Sequence, residues 1–304
     1  MSVWICFSLF VLATQSFEIN DHHLSDVDIE FLHSLPSVRA GARLPGFKYL
    51  YLEPGSHLTT VLNHNHSQLE IAGSPRTSQH ALDVAADIIV KMTRHMPPSM
   101  FQTLTKGKVG LFTAVEKMTI YPEYTHIANG NCGTSCAGNC SHTCAADGRK
   151  YESIMGLTNS RSVVLDDIVL CSAHDPYHHV DNVLVHEFGH LVHFYATTPA
   201  IKTQILSAYN TSKLHATWPL NTYGMRNAHE YWATATQIFF GALHVKGGMN
   251  QCGATFCNGF QQSRDHLRSL DPAVFNILSH VYTNNNPSLN PGFSICPAGT
   301  VVVG

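Results

Sequence analysis

His186, Glu187 and His190 stand in the order H-E-F-G-H inside the stretch VHEFGHLVH, Val185 to His193. Residues four apart share one face of an α-helix, so both imidazoles can present a ring nitrogen to a single metal ion. Zinc takes such nitrogens at about 2.0–2.1 Å. Glu187, next to the first histidine, can reach a water in the metal's open position. Zinc lowers the pKa of such a water toward ~7, and a carboxylate can accept its proton. The chemistry open to this triplet is attack of water on a peptide carbonyl. The competing reading is two packing histidines. It is disfavoured because Leu184, Val185, Leu191 and Val192 make an apolar helix, a strand precedes it, and the chain carries the marks of export. Gly189 is a weak helix former, which points to close backbone packing or room for the metal.

A catalytic zinc needs a third protein ligand. His193 lies a further turn along the same helix, too far for one metal to reach all three histidines. The longer H-E-x-x-H-x-x-G-x-x-H pattern fails, since His193 stands at its glycine position and Thr197 at its last histidine. The better candidate is Glu230, in N-A-H-E-Y-W-A-T-A-T on a second predicted helix; His229 beside it points to a different face. His174, His178 and His179, in the loop before the first helix, are read as cleft-lining residues and not as ligands.

The order HEFGH, then Tyr223-Gly224, then Glu230 resembles the catalytic domain of anthrax toxin lethal factor and related zinc peptidases. That family has Y-G-R-T-N-E-A-E-F-F-A-E where this chain has Y-G-M-R-N-A-H-E-Y-W-A-T. The resemblance covers about residues 180–240. It implies a zincin-like fold of the gluzincin type, with His186, His190 and Glu230 as zinc ligands and Glu187 as general base. Tyr223 would stabilise the oxyanion or assist the leaving group, and Asn227 also matches in place. The family carries an acid four positions after the glutamate ligand, where this chain has Thr234. Such an acid commonly orients a ligating histidine; a threonine hydroxyl or a backbone carbonyl could take its part. The resemblance implies a stand-alone zinc-dependent endopeptidase acting on protein or peptide substrates. The alternative is a secreted zinc-binding protein of the same fold without turnover.

These residues need elements to hold them. Residues 78–95 show Ala81, Val84, Ala85, Ile88, Ile89 and Met92 at helical spacing, ended by Pro97 and Pro98. Lys108 to Val115 and Arg161 to Leu170 read as strands, the second with a polar centre at Asp166 and Asp167. Asp181 to Tyr195 and about Asn227 to Leu243 read as helices. Strands followed mostly by helices predict an α+β domain with a small mixed sheet, an active-site helix and a cysteine-rich insertion. The division predicted is a signal peptide at 1–16, an N-terminal extension at 17–75, the main domain at 76–285 with its insertion at 129–146, and a tail at 286–304.

Composition limits the partners. Net charge is −3 with no basic run, so nucleic-acid binding has no electrostatic footprint. Val3 to Ala13 is an apolar run of eleven residues, short of the ~20 needed to span a bilayer. Thr14 and Ser16 sit like the last small residues before a signal-peptidase cut at Phe17. A secreted chain with no stable membrane anchor is expected. Eight cysteines lie beyond that segment, an even number that reads as disulfides in an oxidising compartment. Four of them, Cys132, Cys136, Cys140 and Cys144, recur every fourth position; a stapled loop is favoured over a second metal or a cluster. Sequons at Asn65, Asn139 and Asn210 are glycosylation candidates. Oligomeric state is not legible.

Overall fold

The computed structural model of the chain describes residues 43–245, 248–249, 251–253, 255–257, 259–289, 293 and 295–296. The expected signal peptide and the first part of the extension lie outside the described residues. The centre of the molecule is a six-stranded mixed sheet. Its strands are β1 (Lys48–Glu53), β2 (His57–Thr59), β3 (Leu69–Gly73), β4 (Lys108–Phe112), β5 (Gly156–Thr158) and β6 (Arg161–Leu165), in the order β2-β1-β3-β4-β6-β5. β3, β4 and β6 run parallel, and the remaining pairings are antiparallel. The α+β class therefore holds.

Half of this sheet comes from the segment that reads as an extension. β1 and β2 form a hairpin turned by Pro54-Gly55, where Gly55 takes a φ of 83°. Leu50, Leu52, Leu69 and Ile71 are buried in the common core. The strands are short and interrupted by turns, so their alternation is weak in the sequence.

The helices are α1 (Gln79–Thr93), α2 (Pro98–Leu104), α3 (Asp166–Val169), α4 (Val183–Tyr195), α5 (Pro199–Leu214), α6 (Ala228–Phe240), α7 (Gly259–Leu270) and α8 (Pro272–Thr283). A small hairpin, β7 (Gln251–Cys252) with β8 (Thr255–Phe256), precedes α7. In α1 the Ser78 hydroxyl accepts from the Ala81 N–H, an N-cap that starts the helix where the apolar spacing begins. The strand expected to run to Leu170 stops at Leu165. Asp166 and Asp167 instead occupy the first turn of α3, where the helix dipole favours carboxylates. The strand expected to reach Val115 stops at Phe112, because Thr113 opens a turn whose carbonyl accepts from Glu116 and Lys117.

All eight cysteines are paired: Cys132 with Cys140, Cys136 with Cys144, Cys171 with Cys296, and Cys252 with Cys257. The first two staple the insertion. Asn65, Asn139 and Asn210 are all exposed. No helix among the described residues is long and apolar enough to cross a membrane.

Candidate metal centre

Helix α4 is buried from Val183 to His193, packed between β5 and β6 on one side and α6 on the other. Its start is fixed by Asn182, whose Oδ1 accepts from the Val185 N–H and whose Nδ2 donates to the Ile295 carbonyl. α6 starts on Asn227, whose Oδ1 accepts from the Glu230 N–H at 2.8 Å. That bond explains the asparagine of the sequence stretch: it caps the helix so that Glu230 sits in the first turn. The two helices run antiparallel, with Gln237 beside Asn182 and His186 at one end and Glu230 beside His190 at the other. Gly189 sits at their crossing. A Cβ there would lie 3.3 Å from the Ala233 Cα and from the Thr236 side chain. The glycine thus serves close helix packing, and the Trp232 indole N–H donates to its carbonyl.

The close crossing brings three buried ligand atoms together. His186 Nε2 lies 3.0 Å from Glu230 Oε2 and 3.1 Å from His190 Nε2, and His190 Nε2 lies 3.4 Å from Glu230 Oε2. Ligands bound at about 2.0–2.1 Å in a tetrahedron around one zinc stand about 3.3 Å apart. The observed spacings match that edge, so the residues fit a metal. The hydrogen bonds argue the same way. Gln237 donates from Nε2 to Asp181 Oδ1 and the Asn182 carbonyl, which turns its Oε1 toward His186 Nδ1 at 3.1 Å. An acceptor at Nδ1 places that ring's proton there and leaves Nε2 as a lone pair. An Nε2 that faces a carboxylate and a second imidazole calls for a positive charge at that point, which a metal ion supplies or, without one, a proton on Nε2.

The electrostatics show the same need for positive charge, met by a proton in the metal-free protein. Burial alone would lower the His186 pKa, but the hydrogen bond and charge of Glu230 push it up to about 9. Burial would raise Glu230, yet the two histidines hold it well below the usual carboxylate range. Burial lowers His190, whose Nδ1 meets no hydrogen-bond partner among the described residues.

Glu187 turns the other way, toward the sheet edge. The Thr158 hydroxyl of β5 donates to Glu187 Oε2 at 2.6 Å, and the Ser162 hydroxyl donates to the Glu187 carbonyl at 2.8 Å. Burial pushes the Glu187 carboxyl up to about 7. Gly156 makes the room: a Cβ there would meet Val183 Cγ1 at 2.4 Å and Glu187 Oε1 at 3.0 Å.

Tyr223 precedes α6 in a short 3-10 turn, Tyr223–Met225, and its ring centroid lies 5.9 Å from that of His186. Burial and the Glu230 charge raise its hydroxyl well above the ordinary value, while Arg226 works to lower it. The Arg226 guanidinium lies over the Tyr223 ring, 4.8 Å from its centre.

Of the five sequence-predicted residues, His186, His190 and Glu230 bring ligand atoms together, Tyr223 lies against the His186 ring, and Glu187 is held at the sheet edge by Thr158. His193 does not join them. It turns to His229, with the two Nδ1 atoms 3.1 Å apart. Thr234 does not orient a ligand: its buried Oγ1 has no hydrogen-bond partner among the described residues, and it packs where a Cβ on Gly224 would come within 2.9 Å of its Cβ. The orienting part belongs to Gln237, which the sequence reading missed. One signal for it was available, a polar residue one helical turn beyond Thr234 and just before the apolar run I-F-F.

No protein-family model and no curated protein sequence matches the chain. The resemblance to the lethal factor peptidases thus rests on residues 180–240 alone. Among solved structures, the chain is similar to a Pro-Pro endopeptidase from Paenibacillus alvei, with 15% identity and a TM-score of 0.44, over 70% of this chain and 97% of that one. At that level the likeness adds nothing to what the side chains of this centre display.

Proposed function

We propose that the chain is a secreted zinc-dependent metallopeptidase of the gluzincin type, acting as an endopeptidase. The observation that carries this reading is the convergence of His186, His190 and Glu230 on one buried point, with Glu187 on the same helix and Tyr223 beside it. Two imidazoles and one carboxylate are the ligand set of a catalytic zinc with one position left open. A zinc held there would activate water and polarise the scissile carbonyl.

The protein's own residues do the rest. Glu187, steadied by Thr158, accepts the proton of the attacking water and returns it to the leaving amine. Tyr223 donates a hydrogen bond to the carbonyl oxygen as negative charge develops there. Gln237 holds the His186 ring in the tautomer and orientation that a ligand needs. Four disulfides support an oxidising, extracellular setting.

The test is digestion of a peptide library by the mature chain, with and without a chelator, beside zinc analysis. Cleavage that chelation abolishes and zinc restores is the expected result. Glu187→Gln should keep stoichiometric zinc and lose hydrolysis; full activity in that variant would end the mechanism. A second reading, zinc binding without turnover, draws on Thr234 at the family's acidic position. Stoichiometric zinc with no cleavage of any library peptide would favour it. Gln237 in the orienting place supports the active reading over this one.

A further inference from the structure

Arg226 belongs to neither the ligand set nor the proton-transfer group, yet it covers Tyr223. Its guanidinium stands 4.8 Å from the centre of the tyrosine ring. The backbone beneath it is tied down on both sides. The Arg226 N–H donates to the Tyr223 carbonyl, and the Tyr209 hydroxyl lies 3.1 Å from the carbonyls of Met225 and Arg226. The next residue, Asn227, caps α6 and sets Glu230. The arginine is thus fixed at one end by the helix start that places a ligand, and at the other by the ring that would meet the substrate. Its field also reaches Asp147, just after the stapled insertion.

We propose that Arg226 is a positioning residue for Tyr223: the cation stacked on the ring holds the phenol in place and favours donation from its hydroxyl. This rests on the reading of Tyr223 as the donor to the developing oxyanion. A cation over an aromatic face is attracted by the ring's negative quadrupole, and it withdraws charge from the ring. Both effects act on the hydroxyl's place and donor strength, which matter most when the carbonyl oxygen becomes negative. The consequence is a kinetic signature: loss in kcat, with KM nearly unchanged.

The test uses the full zinc-loaded chain and a peptide that wild type cleaves. Arg226→Met should lower kcat about five-fold, the value of one cation–π contact at a partly exposed site. Arg226→Lys, which keeps a cation, should recover most of it. Zinc content should be unchanged in both. In the Tyr223→Phe background, Arg226→Met should have no further effect on kcat. In the metal-free protein, the ring carbon signals of Tyr223 should shift with Arg226→Met and far less with Arg226→Lys. The inference is overturned if Met and Lys variants lose equally, if the loss appears in KM, or if Arg226→Met still costs five-fold beside Tyr223→Phe. A Tyr223→Phe variant with wild-type kcat would instead refute the role of Tyr223 itself, and the inference with it.

Discussion

Gln237 can be tested separately from the metal ligands. Gln237→Met keeps the side-chain length and apolar bulk but removes the acceptor for His186 Nδ1 and the donor to Asp181. Loss of a partner that orients a ligating histidine typically costs 10–100-fold in metal affinity, or about 1.4–2.7 kcal/mol. The metal-free protein should also lose stability, about 1–3 kcal/mol for the buried ring N–H left without its acceptor. Thr234→Ala is the control. Its hydroxyl makes no hydrogen bond among the described residues, so zinc affinity should stay within about two-fold. Competition against a chelator of known affinity reads the first quantity, and urea denaturation of the metal-free chains reads the second. A folded Gln237→Met protein with wild-type zinc affinity would refute the assignment. So would a Thr234→Ala protein that loses as much as Gln237→Met.

Other perturbations follow from single contacts. Gly156→Ala should abolish hydrolysis and cost about 1–3 kcal/mol of stability, because its methyl would overlap Val183 and crowd Glu187; Val183→Ala in the same chain should restore much of the stability, read by thermal denaturation. Glu123 is buried beside Arg161 and Lys108. Burial would raise its carboxyl, but Arg161 first and then Lys108 hold it below its ordinary value of 4.5. Its contribution is therefore present in full above about pH 4.5 and lost as pH falls through the lower folded value. Glu123→Gln should flatten the acid limb of the urea midpoint against pH and cost about 3 kcal/mol near neutrality, since Arg161 loses one buried partner. Replacing both Cys171 and Cys296 by serine opens a loop with a sequence separation of 125 residues, worth about 5 kcal/mol in chain entropy. A melting temperature within a degree of wild type would contradict that figure.

The proposed metal ligands are legible in the sequence because their spacing is local. His186 and His190 are one turn apart, and Glu230 lies in its own capped helix start, so short-range rules suffice. What stayed hidden depends on tertiary contact. Gln237 acquires its role only because α6 crosses α4 at Gly189, and no periodicity reports a crossing. The same holds for Thr158, a strand residue whose hydroxyl meets Glu187 across the sheet edge. The first three strands escape the sequence reading because they are short, and in KYLYLE the tyrosines on one face and the leucines on the other blur a period of two. The Asp166-Asp167 pair reads as the polar centre of a strand, but it occupies the first turn of a short helix, where the dipole favours carboxylates. The insertion's cysteines gave the right kind of staple but not its pairing, since four cysteines permit three arrangements.

The Asn182 side chain joins the first turn of α4 to the carbonyl of Ile295, 113 residues further on. During synthesis, that partner emerges long after the two helices that meet at the centre. A nascent chain halted before residue 295 would hold His186, Glu187, His190 and Glu230, yet lack one brace at the start of α4 and the bridge from Cys296 to Cys171. The last braces at the start of α4 therefore become available only once residues 295 and 296 have emerged, when the Cys171 and Cys296 thiols can be oxidised together to their disulfide.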